Sequence, residues 1–172
     1  MPVLSKRVAA ALAVFFLWSV SASAAPSVFS SLEAQTDAIP ITLGGEPYTF
    51  WPAYIVTVTG LQPTDVVQCH AQAEVTSNHP FNVQVDRVIG KSASGRWSSN
   101  DSASLSALNP LAGENITSDT HHMVINTWAT DTGETETMTY ALFLEAASTS
   151  AAVNDSIILN RGNGGLWCTV FQ

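Results

Sequence analysis

Residues 121–147, HHMVINTWATDTGETETMTYALFLEAA, carry the clearest pattern in the chain. HHMVINTWATD and ETMTYALFLEAA are rich in β-branched and aromatic residues and flank DTGE, a short turn containing glycine. The stretch therefore reads as a long β-hairpin. Alternation along its first arm puts His122 on one face with Val124, Asn126 and Trp128, and His121 on the other with Met123, Ile125 and Thr127.

The same signature extends in both directions. Downstream, DSIILNRG at 155–162 and GLWCTVF at 165–171 read as a second hairpin around Asn163-Gly164. Upstream, the candidate strands are AIPITL (38–43), YTFW (48–51), YIVTVTG (54–60), VVQCHAQAEV (66–75) and FNVQVDRVIG (81–90). Residues 91–119 are rich in Ser, Asn, Gly and Ala, with room for one or two short strands, for example near 96–98, and read as a long connection of the kind that often forms binding loops. Helical periodicity is nearly absent. Strands of this length and spacing predict a single all-β domain, an antiparallel β-sandwich of jelly-roll type.

The N-terminus predicts export. Lys6 and Arg7 precede VAAALAVFFLWSV, an apolar run short for a membrane span, and SASAAP follows with Ala22 and Ala24 in an A-x-A arrangement. That order is a cleavable secretory signal over residues 1–24, which leaves the sandwich at 25–172. Cleavage removes two cations, so the formal charge of −8 becomes −10. The remaining strong cations, Arg87, Lys91, Arg96 and Arg161, are scattered. They cannot neutralise a phosphate backbone, which argues against nucleic acid, or hold an anionic membrane surface. No second apolar run long enough to span a membrane follows.

An exported chain with two cysteines predicts a disulfide, Cys69–Cys168. Val67, Cys69, Ala71, Ala73 and Val75 alternate with polar residues, and Cys168 shares a face with Leu166 and Val170, so both thiols should point into the core.

Chemistry is harder to read. The histidines are first expected to be surface residues; a zinc or copper site would need His70, His121 or His122 to converge, with Glu74 as a further ligand. The turn TDTGETE offers Asp131, Glu134 and Glu136 as oxygen ligands for calcium, without EF-hand spacing. No nucleophile motif appears and no carboxylate pair stands out, so the reading leans away from an enzyme. Trp51 and Trp97 are the candidate exposed rings for stacking on a ligand, whereas Trp128 and Trp167 are expected to be core or edge-covering rings. Asn100, Asn115 and Asn154 head N-x-[ST] tripeptides in expected loops, possible acceptors of glycans. Sparse charge and an apolar fraction of 46% suit a non-catalytic module with dry contact surfaces, one that binds a protein partner or forms an oligomer with itself. The alternatives are a carbohydrate-binding module built on Trp51 and Trp97, and a small exported metalloprotein built on the histidines.

Overall fold

The structure, a computed structural model, describes residues 25–31, 33–44, 49–97, 102–104 and 114–172. The signal segment 1–24 and Asn100 lie outside the described residues. The chain is an all-β sandwich. Its strands are β1 (Ser27–Ser31), β2 (Ala38–Leu43), β3 (Trp51–Thr59), β4 (Val66–Thr76), β5 (Val83–Ser92), β6 (Ser102–Ser104), β7 (Glu114–Ile116), β8 (His122–Thr132), β9 (Thr137–Ser148), β10 (Ser156–Leu159) and β11 (Gly165–Phe171).

One layer, sheet A, runs β1-β11-β4-β8, with β10 continuing the line of β11 along β4. The other, sheet B, has β9 at its centre between β3 and β5, and β6 and β7 lie on the far side of β5. β2 joins the layers. Ala38–Pro40 pair with β10 in sheet A, and Ile41–Leu43 then run parallel to β9 in sheet B, the only parallel pairing among the described strands. Pro40, which has no N–H to donate, sits where the strand leaves one sheet for the other.

Both expected hairpins prove to be something else. β8 pairs with β4 in sheet A and β9 pairs with β3 and β5 in sheet B, so residues 133–136 form a corner that carries the chain between layers. The side chains explain why. β8 alternates strictly between buried and exposed residues, whereas β9 is buried on both faces for most of its length, as a strand covered on both sides must be. Gly133 makes the corner possible: a Cβ there would run into the backbone carbonyl of Gln62, and its N–H donates to the Asp65 carbonyl at 2.9 Å. β10 and β11 likewise do not pair with each other; both run antiparallel to β4, one after the other. The expected strand 54–60 is β3, which also takes in Trp51 and has an irregularity between Pro52 and Tyr54; Thr49 and Phe50 of the expected strand 48–51 are not in a strand, and Tyr48 lies outside the described residues. Residues 91–119 do hold two short strands, β6 and β7, but Arg96 and Trp97 are in neither, and Ser98 lies outside the described residues.

The core lies between the layers. Tyr54, Val56, Tyr140, Leu142, Leu144, Val85 and Ile89 from sheet B meet Val67, Ala71, Val75, Ile125, Leu166 and Val170 from sheet A. Cys69 and Cys168 face this core from directly opposite positions on β4 and β11 and are bonded, as expected.

Candidate functional site

The inward alternation of β4 and β8 leaves their other face in water, and that outer face of sheet A carries the most unusual surface on the molecule. Register places three rings in a line across three neighbouring strands. Trp128 on β8 is opposite His70 on β4, and His70 is opposite Trp167 on β11. His70 stacks on Trp167 with ring centroids 5.8 Å apart and planes 19° from parallel. Trp128 stands free, 76% exposed. A shallow depression of about 320 Å3 runs along the row, with Gln68, Thr130 and Thr169 on one flank. Gln72 and Asn126, a cross-strand pair at the next position on the same face, form the other flank. The disulfide lies under the row, because Cys69 and Cys168 pair one position along from His70 and Trp167.

The expectation for the tryptophans holds only in part. Trp128, expected as a core or edge-covering ring, is exposed on the outer face, and Trp167 lies half-buried on the same face. Trp97 packs edge-on against Phe143 at 4.8 Å and is half-buried, holding the 93–97 bend onto the outer side of sheet B. Trp51, 37% exposed at the start of β3, is outside the row. The signal that could have found the site was the alternation itself: Met123, Ile125 and Ala129 are apolar and occupy the opposite face from Trp128.

The histidines do not converge. His122 is opposite Thr76, six residues along β4 from His70, a separation of about 20 Å at the rise of an extended strand. Instead His122 Nε2 meets Glu74 Oε1 at 3.2 Å, and Asn160 and Asn163 donate to the same carboxylate at 2.8 and 3.0 Å. Glu74 thus fastens the loop between β10 and β11 to β4 and β8. His121 turns away in a left-handed backbone conformation (φ 52°), with Nδ1 at 2.8 Å from the Ser77 carbonyl. His79 stacks on Phe81 at 4.8 Å. Among the described residues no group of three His, Cys, Asp or Glu side chains is placed to hold a metal ion, and His70, His121 and His122, which the zinc or copper alternative needed to converge, stand apart.

The acidic turn also has another use. Lys91 Nζ reaches Asp131 Oδ1 at 2.7 Å and Glu134 Oε1 at 2.9 Å, and the Tyr140 hydroxyl donates to Asp131 Oδ2 at 3.0 Å. An ammonium occupies the place the calcium expectation reserved for a cation, and Glu136 is exposed outside the cluster. Burial pulls the Lys91 ammonium down, but its two carboxylate partners outweigh this and hold it above the ordinary lysine value. Burial, then the Asp131 charge, pushes the Tyr140 phenol far above its usual range. With Arg87 Nε donating to the Asn126 carbonyl at 3.1 Å, this cluster ties β5 to β8 across the open side of the sandwich. Asn115 is exposed on the short strand β7, not in a loop, and Asn154 is exposed at a turn with φ 76°.

One group is poorly matched to its surroundings. Glu145 on β9 is 1% exposed, and neither carboxylate oxygen makes a well-formed hydrogen bond. Burial raises it to about 7; a backbone contact from Thr49 pulls the other way, and Asp86, directly opposite on β5, adds a lesser rise.

No protein-family model and no curated protein sequence matches the chain. Among solved structures it is similar to a chain of infectious bursal disease virus, Gx strain, with a TM-score of 0.51 and 9% identity. The likeness is one of fold. It covers 87% of this chain and 38% of the viral one, so this chain spans well under half the length of that neighbour.

Proposed function

We propose that the chain is a secreted, non-catalytic binding module at the cell exterior, and that the outer face of sheet A is its contact surface. Trp128 carries the reading: a 76% exposed indole, in line with two further rings, on a regular strand that could have carried a polar residue there. The rest of the exposed apolar surface agrees. Among the described residues the large exposed hydrophobics are Val28, Trp51, Val124, Trp128, Val153, Ile158 and Phe171, and all but Trp51 and Val153 are on this one face. Such a concentration marks an interaction surface. The groups along the row are rings, amides and hydroxyls, the chemistry of contact rather than of bond-making.

The fold likeness favours a second form of the same reading, contact between copies of the chain, because double-sheet jelly rolls recur in viral capsid domains as well as in lectins. The test compares the purified protein with its Trp128→Ala variant by sedimentation velocity over a wide concentration range, and by retention on cell-wall and matrix fractions. The variant is expected to lose self-association or retention. If it matches the parent protein in both assays, the face is not the contact surface. Export is checked by mass spectrometry of protein recovered from the medium, which should begin at Ala25; a chain that stays in the cytosol with residues 1–24 attached overturns that part.

A further inference from the structure

We infer that the ligand of the Trp128–His70–Trp167 row is a neutral carbohydrate chain, an inference that rests on the reading of this face as the contact surface. A pyranose ring offers an apolar C–H face and a rim of hydroxyls, so it asks for a flat ring to lie on and for uncharged donors and acceptors beside it. The row supplies both. Trp128 is free to take a sugar face, and Trp167 backed by His70 gives a second platform on a neighbouring line. Gln68, Thr130 and Thr169 lie along one side and Gln72 with Asn126 along the other, all outward on their strands. Three adjacent strands put the outer rings about 10 Å apart, the reach of a short run of sugar units.

Charge selects among ligands. The acids nearest the row are engaged elsewhere: Glu74 by His122, Asn160 and Asn163, and Asp131 by Lys91 and Tyr140 beneath the sheet. Among the described residues no Lys or Arg lines the depression, so an anionic sugar would find no lysine or arginine counter-charge there on a strongly acidic protein. A second copy of the chain would bring its own large negative charge, whereas a neutral glycan brings none. The volume, about 320 Å3, is near the small end of ligand sites and suits one or two rings. Rigidity helps as well, because the disulfide next to the row fixes the two strands that hold His70 and Trp167, so less ordering is left for the ligand to impose.

The test uses the purified protein with microcrystalline cellulose, chitin, a soluble neutral β-glucan and a galactomannan, with alginate as the anionic counterpart. Retention is read by depletion and by affinity electrophoresis. At least one neutral polysaccharide should retain the protein and alginate should not. Trp128→Ala should weaken retention about tenfold or more, as truncating a central aromatic anchor does. Trp128→Tyr should keep most of it, and Trp51→Ala should change nothing. Trp128 is so exposed that its loss leaves the fold intact, which near-ultraviolet circular dichroism checks. If no neutral polysaccharide retains the protein, the carbohydrate inference is wrong. Should Trp128→Ala still abolish self-association or retention on cell-wall and matrix fractions in that case, the contact-surface reading stands without it; should it do neither, both fall.

Discussion

Replacing Glu145 by Gln should stabilise the protein above neutral pH and leave it unchanged in acid. The carboxyl is shut away from water on the outer side of sheet B, without a well-formed hydrogen bond and with Asp86 directly across the strand pair. Burial first, and Asp86 in addition, raises it from 4.5 to about 7 in the folded state. The native chain therefore holds a proton that the unfolded chain has already released between pH 4.5 and 7. Stability falls as pH rises through that window and is flat on either side of it. Each tenfold change in proton affinity is worth about 1.4 kcal/mol, which sets a ceiling of about 3 kcal/mol above pH 7. The group lies close beneath the surface, so a realistic figure is about 2 kcal/mol. Gln keeps the shape and is as neutral as the protonated acid. Urea unfolding followed by tryptophan fluorescence at pH 4.5, 6, 7 and 8 should give coincident curves at the lowest pH and a gap that opens to about 2 kcal/mol at the highest. Every other titratable group is common to both proteins, so the difference isolates Glu145. Parallel pH dependences for the two proteins would refute the assignment.

Three further outcomes follow from other contacts. Reducing Cys69–Cys168, which spans 99 residues, should lower unfolding stability by up to about 4–5 kcal/mol in the chain-entropy account, read from urea midpoints with and without reductant. Gly133→Ala should destabilise by about 2 kcal/mol or more because the obstructing Gln62 carbonyl is backbone and cannot swing aside; a variant that melts with the parent protein would show that the corner can relax. Lys91→Met strands the buried Asp131 with only the Tyr140 hydroxyl and should cost about 3 kcal/mol, most of which Lys91→Met combined with Asp131→Asn should restore in a double-mutant cycle.

The parts of the fold that were legible in the sequence are those that a period of two encodes. On β4, Val67, Cys69, Ala71, Ala73 and Val75 alternate with polar residues and are all buried, and the same alternation put both cysteines in the core. Alternation says which way a side chain points but not which strand lies alongside. Hence residues 121–147 looked like a hairpin, since a short glycine turn between two strands serves a hairpin and a corner equally well. A difference within the stretch was nonetheless readable. HMVINTWATDT alternates apolar and polar residues, whereas TMTYALFLEAAS holds the unbroken apolar run Tyr140–Leu144, and two strands with such unlike needs fit poorly as partners at the rim of one sheet. The metal expectations failed for a related reason: whether His70 and His122 meet depends on register, and only Lys91, forty residues before Asp131 in the chain, explains where the acids of the turn are directed.

Register also produces the candidate site. His70, Trp128 and Trp167 are far apart in sequence, and none is distinctive alone. They form a row because β4 accepts β8 on one edge and β11 on the other, with alternate residues of all three strands facing outward. The inward pair at the neighbouring position is the disulfide, so the bond that closes the longest loop also fixes the distance between two of the three rings. A slip of one residue between β4 and β11 would turn Trp167 into the core and Cys168 into water, and the disulfide forbids that slip. The third ring has no such lock. Trp128 is placed only by the β4–β8 pairing, reinforced at one end by the His122–Glu74 contact, while at the other end the Lys91–Asp131 pair holds β8 to β5. Side-chain contacts at the two ends of β8 therefore set how firmly the row presents its most exposed ring, and they link residues that touch no ligand to the surface that would.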